Sequence, residues 1–124
     1  MDKLDTIFEM QASLNAEITA LRRLEHWTAD DWQQHLTLAM LSELAEALDE
    51  TNFKWWKNPK QRNPAELKGE IVDMLHFLIS MAQRAGMDAD ELFDRYMDKN
   101  KENFDRQHGK SQKPGYAAGE ATEA

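Results

Sequence analysis

Cysteine is absent from the 124 residues, which excludes disulfide bonds, thiolate zinc sites and cysteine nucleophiles. The first twenty residues mix charged with apolar side chains, so we expect no signal peptide. No apolar run approaches the roughly 20 residues that a membrane-spanning helix needs. These absences predict a cytoplasmic protein that has no membrane partner.

Basic residues are outnumbered, with 15 lysines and arginines against 23 aspartates and glutamates and a formal net charge of -8. Proteins bind the phosphate backbone of nucleic acids mainly through clustered cations, so the charge balance argues against a nucleic-acid partner. An acidic protein can still bind a single nucleotide when divalent metal ions bridge its carboxylates to the phosphates.

Residues that favour strands and turns are also scarce, with one valine, four isoleucines, five glycines and three prolines. Abundant leucine, alanine, glutamate and methionine favour helices instead. The apolar spacing predicts four helices, over residues 2–26, 29–51, 65–84 and 89–107. Short connections between them predict an all-α bundle of four to five helices. We expect one helical domain over residues 1–108 and a flexible tail over residues 109–124.

Each helix carries an apolar stripe that predicts its buried face. The predicted core residues are Leu4, Ile7, Phe8, Leu14, Ile18, Leu21, Trp32, Leu36, Met40, Leu44, Leu48, Ile71, Leu75, Leu78, Ala82, Leu92, Phe93, Tyr96 and Met97, flanked by Val72 and Ile79. Four helices form a thin bundle for so many apolar residues, which predicts homo-oligomerisation through a helix face.

Two pairs of acids are spaced so that each pair shares a helix face. Glu43 and Glu46 lie three apart on the second helix, and Glu70 and Asp73 repeat that spacing on the third. Two antiparallel helices can bring these four carboxylates to one cleft, and carboxylates of this kind suit Mg²⁺. Exposed, solvated acids are the alternative, but apolar neighbours on both helices make that interpretation weaker.

Two further segments offer groups that could complement an acidic cleft. Lys99, Asn103 and Arg106 share a face of the fourth helix and could hold the terminal phosphates of a nucleotide, or form an ordinary surface stripe. The aromatic connector between the second and third helices, Phe53 to Lys57, could pack against the bundle or act as a lid with a stacking ring.

The motifs resemble the dimeric, all-α dUTPase family, which belongs to the MazG-like nucleoside triphosphate pyrophosphatases. In size the chain is similar to compact bacteriophage dCTPase and dUTPase relatives. The resembling segments are Met10-Gln11-Ala-Ser-Leu-Asn15, Ser42-Glu43-Leu-Ala-Glu46, Phe53-Lys-Trp-Trp-Lys57, Glu70-Ile-Val-Asp73-Met-Leu-His76-Phe77 and Tyr96-Met-Asp-Lys99-Asn100-Lys-Glu-Asn103-Phe-Asp-Arg106-Gln107.

This resemblance implies Mg²⁺-dependent hydrolysis of dUTP to dUMP and pyrophosphate, by attack of water at the α-phosphorus. The family's chemistry implies two or more Mg²⁺ ions, with Mn²⁺ as a possible substitute, held by the four acids. Glu43 or Glu46 would also orient or deprotonate the water. The resemblance further implies a homodimer, located in the host cytoplasm if a phage encodes it.

The other implied site residues contact the parts of the nucleotide. They are Gln11, Asn15 and Trp56 for the base, His76 and Phe77 for the sugar, and Lys57, Lys99, Asn103 and Arg106 for the phosphates. Two alternatives stay open at this point. The substrate range could include dCTP or other triphosphates, and the chain could be a non-catalytic helical interaction module.

Overall fold

A computed structural model describes residues 1–119 of the chain. These residues form four helices and no strand, so the all-α prediction is confirmed. The helices are α1 (Lys3–Arg22), α2 (Ala29–Asp49), α3 (Pro64–Arg84) and α4 (Ala89–Gln107). No helix within residues 1–119 combines the length and the apolar character needed to cross a membrane.

The starts of the first three helices are set by capping side chains. The side chains of Asp2 and Thr28 each accept a hydrogen bond from the backbone N–H three residues later. The carboxylate of the aspartate at that position accepts one from the backbone N–H of the cap residue. These reciprocal pairs satisfy amides that have no partner inside the helix. Asn63 caps α3 in the same sense, and Pro64 occupies the first turn, where no amide hydrogen is needed.

The predicted end of the first helix is wrong by one turn. The helix ends at Arg22 rather than His26, because Arg23 adopts the left-handed conformation with φ of 57°. The amide of Leu24 then donates to the carbonyl of Thr19, which satisfies a helix-end carbonyl. Glycine is the usual residue in this conformation. Because the sequence has an arginine here instead, it did not predict that the helix ends at Arg22.

The chain divides into two compact units, residues 1–88 and the segment that begins at Ala89. In the first unit α3 packs more extensively against α2 than against α1. Two side-chain amides tie the helices together across these contacts. Gln33 donates to the carbonyl of Met81 at 3.0 Å, and Gln83 donates to the carbonyl of Phe8 at 2.8 Å.

The buried core is smaller than the apolar stripes predict. Its apolar members among the described residues are Phe8, Trp32, Leu36, Ile79, Ala82 and Ala89. Ile79, predicted only to flank the core, is 1% exposed, whereas Leu21, Leu44, Leu48, Ile71, Val72 and Leu78 are exposed. A helix buries only the part of its apolar stripe that meets a neighbouring helix. In this unit α3 contacts α2 and α1, and the apolar residues that face away from these contacts stay exposed.

The second unit contains α4 and the described part of the tail. Three ion pairs at four-residue spacing run along the helix. Of their three basic side chains, Arg106, which pairs with Glu102, is the least exposed. The Arg106 guanidinium also lies 5.0 Å from the centre of the Tyr116 ring, and Ser111 donates to Glu102. Phe93, Tyr96 and Met97 were predicted to be buried, but all three are exposed. Residues 120–124 of the predicted flexible tail lie outside the described residues.

Candidate functional site

Three carboxylates from two helices meet where α2 packs against α3. Glu43 and Glu46 come from adjacent turns of α2, and Glu70 comes from α3. One oxygen of each lies within 4.8 Å of the oxygens of the other two. The predicted convergence of these three acids is therefore present in the structure.

Two oxygens in this carboxylate group show that it suits a cation. Oε2 of Glu43 and Oε2 of Glu70 are buried, and no hydrogen-bond partner reaches either of them among residues 1–119. A buried carboxylate oxygen without a donor is costly, and a cation removes that cost. Oxygen ligands at this spacing are those that Mg²⁺ or Mn²⁺ takes.

The close approach of the carboxylates raises the pKa of two of them, Glu46 and Glu70. Glu70, through a shared hydrogen bond and through its charge, raises the pKa of Glu46 above its ordinary value. A hydrogen bond shared with Glu43 raises the pKa of Glu70 as its largest cause, and the charge of Asp73 raises both.

A cavity of about 540 Å³ adjoins the carboxylates, since Glu43 and Asp73 line its wall. Its size is in the range of small-molecule sites. Asp73, the fourth predicted ligand, lies one turn after Glu70 on α3 and is exposed. The remaining wall is mostly apolar and comes from α1, α2 and α3 of the first unit, together with the segment that joins α1 to α2.

The predicted base and sugar residues lie largely in this cavity. Gln11, Asn15, His76 and Phe77 all line it, as does Ser80. Along α3 the order from the carboxylates is Asp73, then His76 and Phe77, then Ser80. A helix rises 1.5 Å per residue, so Glu70 and Ser80 are about 15 Å apart along its axis. The carboxylates of α3 and the residues predicted to border the sugar therefore lie on successive turns of that helix.

One cavity residue that the sequence interpretation missed is Trp27. Its ring stacks on His35 with centroids 4.2 Å apart and meets Trp32 edge-on at 4.8 Å, and all three line the cavity. Trp27 precedes the Thr28 cap, and Trp32 is the fourth residue of α2. A hydrophobic pair at these two positions is the known staple of a helix start, so this spacing was the signal for the contact.

The remaining predicted residues are elsewhere in the described chain. Trp56 is 60% exposed and contacts Trp55 and Phe53 in the connector, and Lys57 lines a small separate pocket there. The Asn52 side chain joins the two ends of this connector, because it donates a hydrogen bond to the backbone carbonyl of Lys60 and accepts one from the backbone N–H of the same residue. Lys99, Asn103 and Arg106 belong to the second unit, where Arg106 is paired with Glu102.

Comparison with known proteins identifies the family of the chain. A sequence profile described as dUTPase matches residues 3–85, which is more than half of the chain. The chain belongs to this dUTPase family. The family match covers α1, α2 and α3, including the carboxylate group and the predicted base and sugar residues. The resemblance predicted from the motifs is therefore confirmed.

Among curated proteins, the dCTP pyrophosphatase of Enterobacteria phage T4 is 29% identical over 120 residues. The alignment covers 86% of this chain and 65% of the phage protein, so the chain spans just under two thirds of that relative's length. No solved structure gives a significant match.

The repulsion within the carboxylate group leads to a test on the metal-free protein. An acid whose pKa is raised by folding binds its proton more tightly in the folded chain than in the unfolded chain. The contribution of Glu70 to the stability of the folded protein therefore falls as the pH rises above 4.5, the ordinary pKa of a glutamate. Glu70→Gln removes one negative charge and supplies an amide donor. In EDTA we expect this variant to melt above the parent at neutral pH, and the gain to shrink as pH falls below 4.5.

Thermal unfolding followed by circular dichroism across that pH range measures this difference. Glu17→Gln, which removes an exposed glutamate of α1, is the control and is expected to lack the pH-dependent gain. A Glu70→Gln protein that melts below its parent at every pH contradicts the repulsion.

Proposed function

We propose that the protein is a metal-dependent nucleoside triphosphate pyrophosphatase that hydrolyses dUTP to dUMP and pyrophosphate. The observation that carries the proposal is the carboxylate group of Glu43, Glu46 and Glu70, which has two buried, unpartnered oxygens and whose member Glu43 lines a cavity of about 540 Å³. Membership of the dUTPase family supports the base and the reaction. A cytoplasmic location, in the host if a phage encodes the chain, agrees with the absence of cysteine and with the phage relative.

In this proposal Glu43, Glu46 and Glu70 hold Mg²⁺, or Mn²⁺ in its place, and Asp73 completes the ligand set for two or more ions. The bound metal supplies neutralisation of the phosphate charge and polarisation of water. The donor set fits this role, because hard carboxylate oxygens and the phosphates of the substrate are what these ions take.

The protein side chains act on the water and on the substrate. Glu43 or Glu46 orients the attacking water and accepts its proton as the new bond to the α-phosphorus forms. The bond from that phosphorus to the bridging oxygen then breaks, and pyrophosphate leaves. No protein nucleophile is needed, which agrees with the lack of cysteine.

The other residues position the nucleotide. Gln11 and Asn15 face the base within the cavity, and His76 and Phe77 border the sugar. Trp56, Lys57, Lys99, Asn103 and Arg106 keep the roles that the family resemblance implies, contacts with the base for Trp56 and with phosphate for the others. Trp27 is an additional aromatic wall for the base, since its ring is already fixed in the cavity by His35.

A second candidate function is hydrolysis of dCTP, alone or beside dUTP, or of a wider range of triphosphates. The name of the phage relative, a dCTP pyrophosphatase, favours this alternative. A non-catalytic interaction module is the remaining alternative, but all four acids of the predicted ligand set are present, which argues for an active site.

Release of pyrophosphate from dUTP, dCTP, UTP and ATP in the presence of Mg²⁺ tests the proposed function. We expect turnover of dUTP that EDTA abolishes. Glu46→Gln is expected to lower kcat by at least about 100-fold, because it removes a ligand or the base while leaving helix content intact. Added Mg²⁺ is expected to raise the melting temperature of the parent but not of this variant.

Glu50→Gln is the matched control, since Glu50 is the C-cap residue of α2, one turn after Glu46, and lies outside the carboxylate group. It is expected to keep parental activity. Asp73→Asn tests the fourth ligand separately, and unchanged activity in that variant refutes the role of Asp73. A parent that releases no pyrophosphate from any nucleotide would favour the non-catalytic module.

The phosphate role of α4 leads to a test at Arg106. Arg106→Ala is expected to weaken triphosphate binding by about 1.5–3 kcal/mol, as the loss of a charge-assisted hydrogen bond does. The change is measured as KM for dUTP. Arg95→Ala is the control, because Arg95 lies on the same helix in an equivalent ion pair that is more exposed. Equal, small effects of both substitutions mean that the Arg106 face is ordinary surface.

Phe77 leads to a prediction about the sugar. Its half-buried ring lines the cavity one turn beyond Asp73, where it would pack against C2′ of a deoxyribose. A hydroxyl placed there would be buried without a partner, which disfavours a ribonucleotide. We expect a strong preference of the parent for dUTP over UTP, and a smaller ratio of kcat/KM in Phe77→Ala. Equal hydrolysis of both substrates by the parent excludes this pocket and favours a broad-range pyrophosphatase.

A homodimer is part of the proposal, supported by an uncovered apolar groove between α2 and α3. Its lining residues are Met40, Ile71, Val72, Met74, Leu75 and Leu78. Ile71, Val72 and Leu78 are each about half exposed, and contiguous apolar surface of this kind is typical of an interface between subunits.

Light scattering coupled to size exclusion is expected to give twice the mass of the chain for the parent. Leu78→Asp places a charge in the groove and is expected to produce monomers. Leu38→Asp changes another exposed leucine, on α2 and outside this groove, and is expected to keep the dimer. Dissociation by Leu38→Asp and not by Leu78→Asp would locate the interface on the other side of α2.

A further inference from the structure

A chain of three hydrogen bonds runs from the backbone of α3 to the cavity. The Ser80 hydroxyl donates to the His76 carbonyl at 2.8 Å, and Nδ2 of Asn15 donates to the Ser80 hydroxyl at 2.9 Å. Nε2 of Gln11 then donates to Oδ1 of Asn15 at 3.1 Å. Ser80 is 1% exposed and Gln11 is 6% exposed, so water cannot easily replace these partners.

The direction of every bond in this chain follows from its first member. A hydroxyl has one hydrogen, and Ser80 gives it to a carbonyl that cannot rotate, so its oxygen can only accept from Asn15. Asn15 must therefore turn its nitrogen towards Ser80 and its oxygen towards Gln11. Gln11 must in turn present its nitrogen to Asn15, and the orientation of both amides is fixed by the backbone of α3.

A fixed amide discriminates between the two pyrimidines. Uracil presents an acceptor at O4 and a donor at N3, whereas cytosine presents a donor at N4 and an acceptor at N3. An amide that is free to flip by half a turn can match either pattern, because its oxygen and nitrogen exchange places. An amide whose orientation is fixed matches one pattern and leaves the other base with unpaired groups.

We propose that Ser80 is a positioning residue that fixes the orientation of the Asn15 and Gln11 amides and thereby determines which pyrimidine base the cavity accepts. The proposal rests on the proposed function, since it concerns the base of the same substrate. Ser80 lines the cavity, and its effect on the base passes through Asn15.

Ser80→Ala tests the proposal, because it removes the hydroxyl without adding volume. Asn15 and then Gln11 become free to flip, so the ratio of kcat/KM between dUTP and dCTP is expected to move towards one by roughly tenfold or more, the value of about one net hydrogen bond. The kcat of the preferred substrate is expected to stay within about twofold of the parent, because the carboxylate group is untouched.

Two variants separate this effect from a general loss of packing. Ser80→Thr keeps a hydroxyl that can donate to the same carbonyl, and it is expected to retain the parental ratio. Ser13→Ala removes an exposed serine of α1 and is expected to change nothing. Should the threonine variant fail to fold, the comparison of Ser80→Ala with Ser13→Ala still decides.

Titration of dUMP and dCMP in metal-free buffer, followed by tryptophan fluorescence, is the second measurement. Trp27 and Trp32 line the same cavity, and the ratio of the two dissociation constants is expected to shrink in Ser80→Ala. An unchanged ratio in that variant, or a parent with no preference between the bases, overturns the role of Ser80. A parent that hydrolyses neither triphosphate overturns the proposed function, and the binding ratio then tests Ser80 by itself.

Discussion

The packing of α2 against α3 is the constraint on which the rest of the molecule depends. It brings three carboxylates within 4.8 Å of one another and leaves two of their oxygens buried without a donor. Without a cation this arrangement opposes folding, because like charges repel and unpartnered acceptors are desolvated. The helices hold the arrangement together through contacts elsewhere in the first unit.

Those contacts lie at the end of the unit away from the acids. Trp32 is buried, with the Arg84 guanidinium 4.0 Å from the centre of its ring, and Gln33 bonds the backbone of α3 one turn before that arginine. Gln83 ties α3 to α1 in the same region. Close to Glu43 and Glu70, by contrast, Leu44 and Ile71 are exposed, so the acidic end has little apolar packing of its own. A second subunit against that surface would supply what the chain lacks there.

The sequence predicts the helices and the acids well because both are local properties. Capping residues, the proline at the start of α3 and the three-residue spacing of Glu43 with Glu46 each act within one or two turns. Burial depends instead on how all the helices pack together. The apolar stripes of α1 and α4 therefore could not show which of their residues contact a neighbouring helix. The contact of Trp27 with Trp32 was missed although their spacing around the Thr28 cap predicts it, whereas the left-handed turn at Arg23 has no glycine to mark it.

The position of Ser80 shows a further limit of sequence interpretation. The residues on either side of it in the sequence, Ile79 and Met81, are apolar, and a serine at such a position is most simply explained as a small core residue that bonds its own helix. That bond is present, but the folded structure also brings the Asn15 amide to the Ser80 hydroxyl oxygen, which accepts a hydrogen bond from it. A local helix bond thereby determines the orientation of a side chain 65 residues away in the chain. The fold thus couples the backbone of α3 to two amides on α1, and this chain of hydrogen bonds sets the orientation that both amides have in the cavity wall.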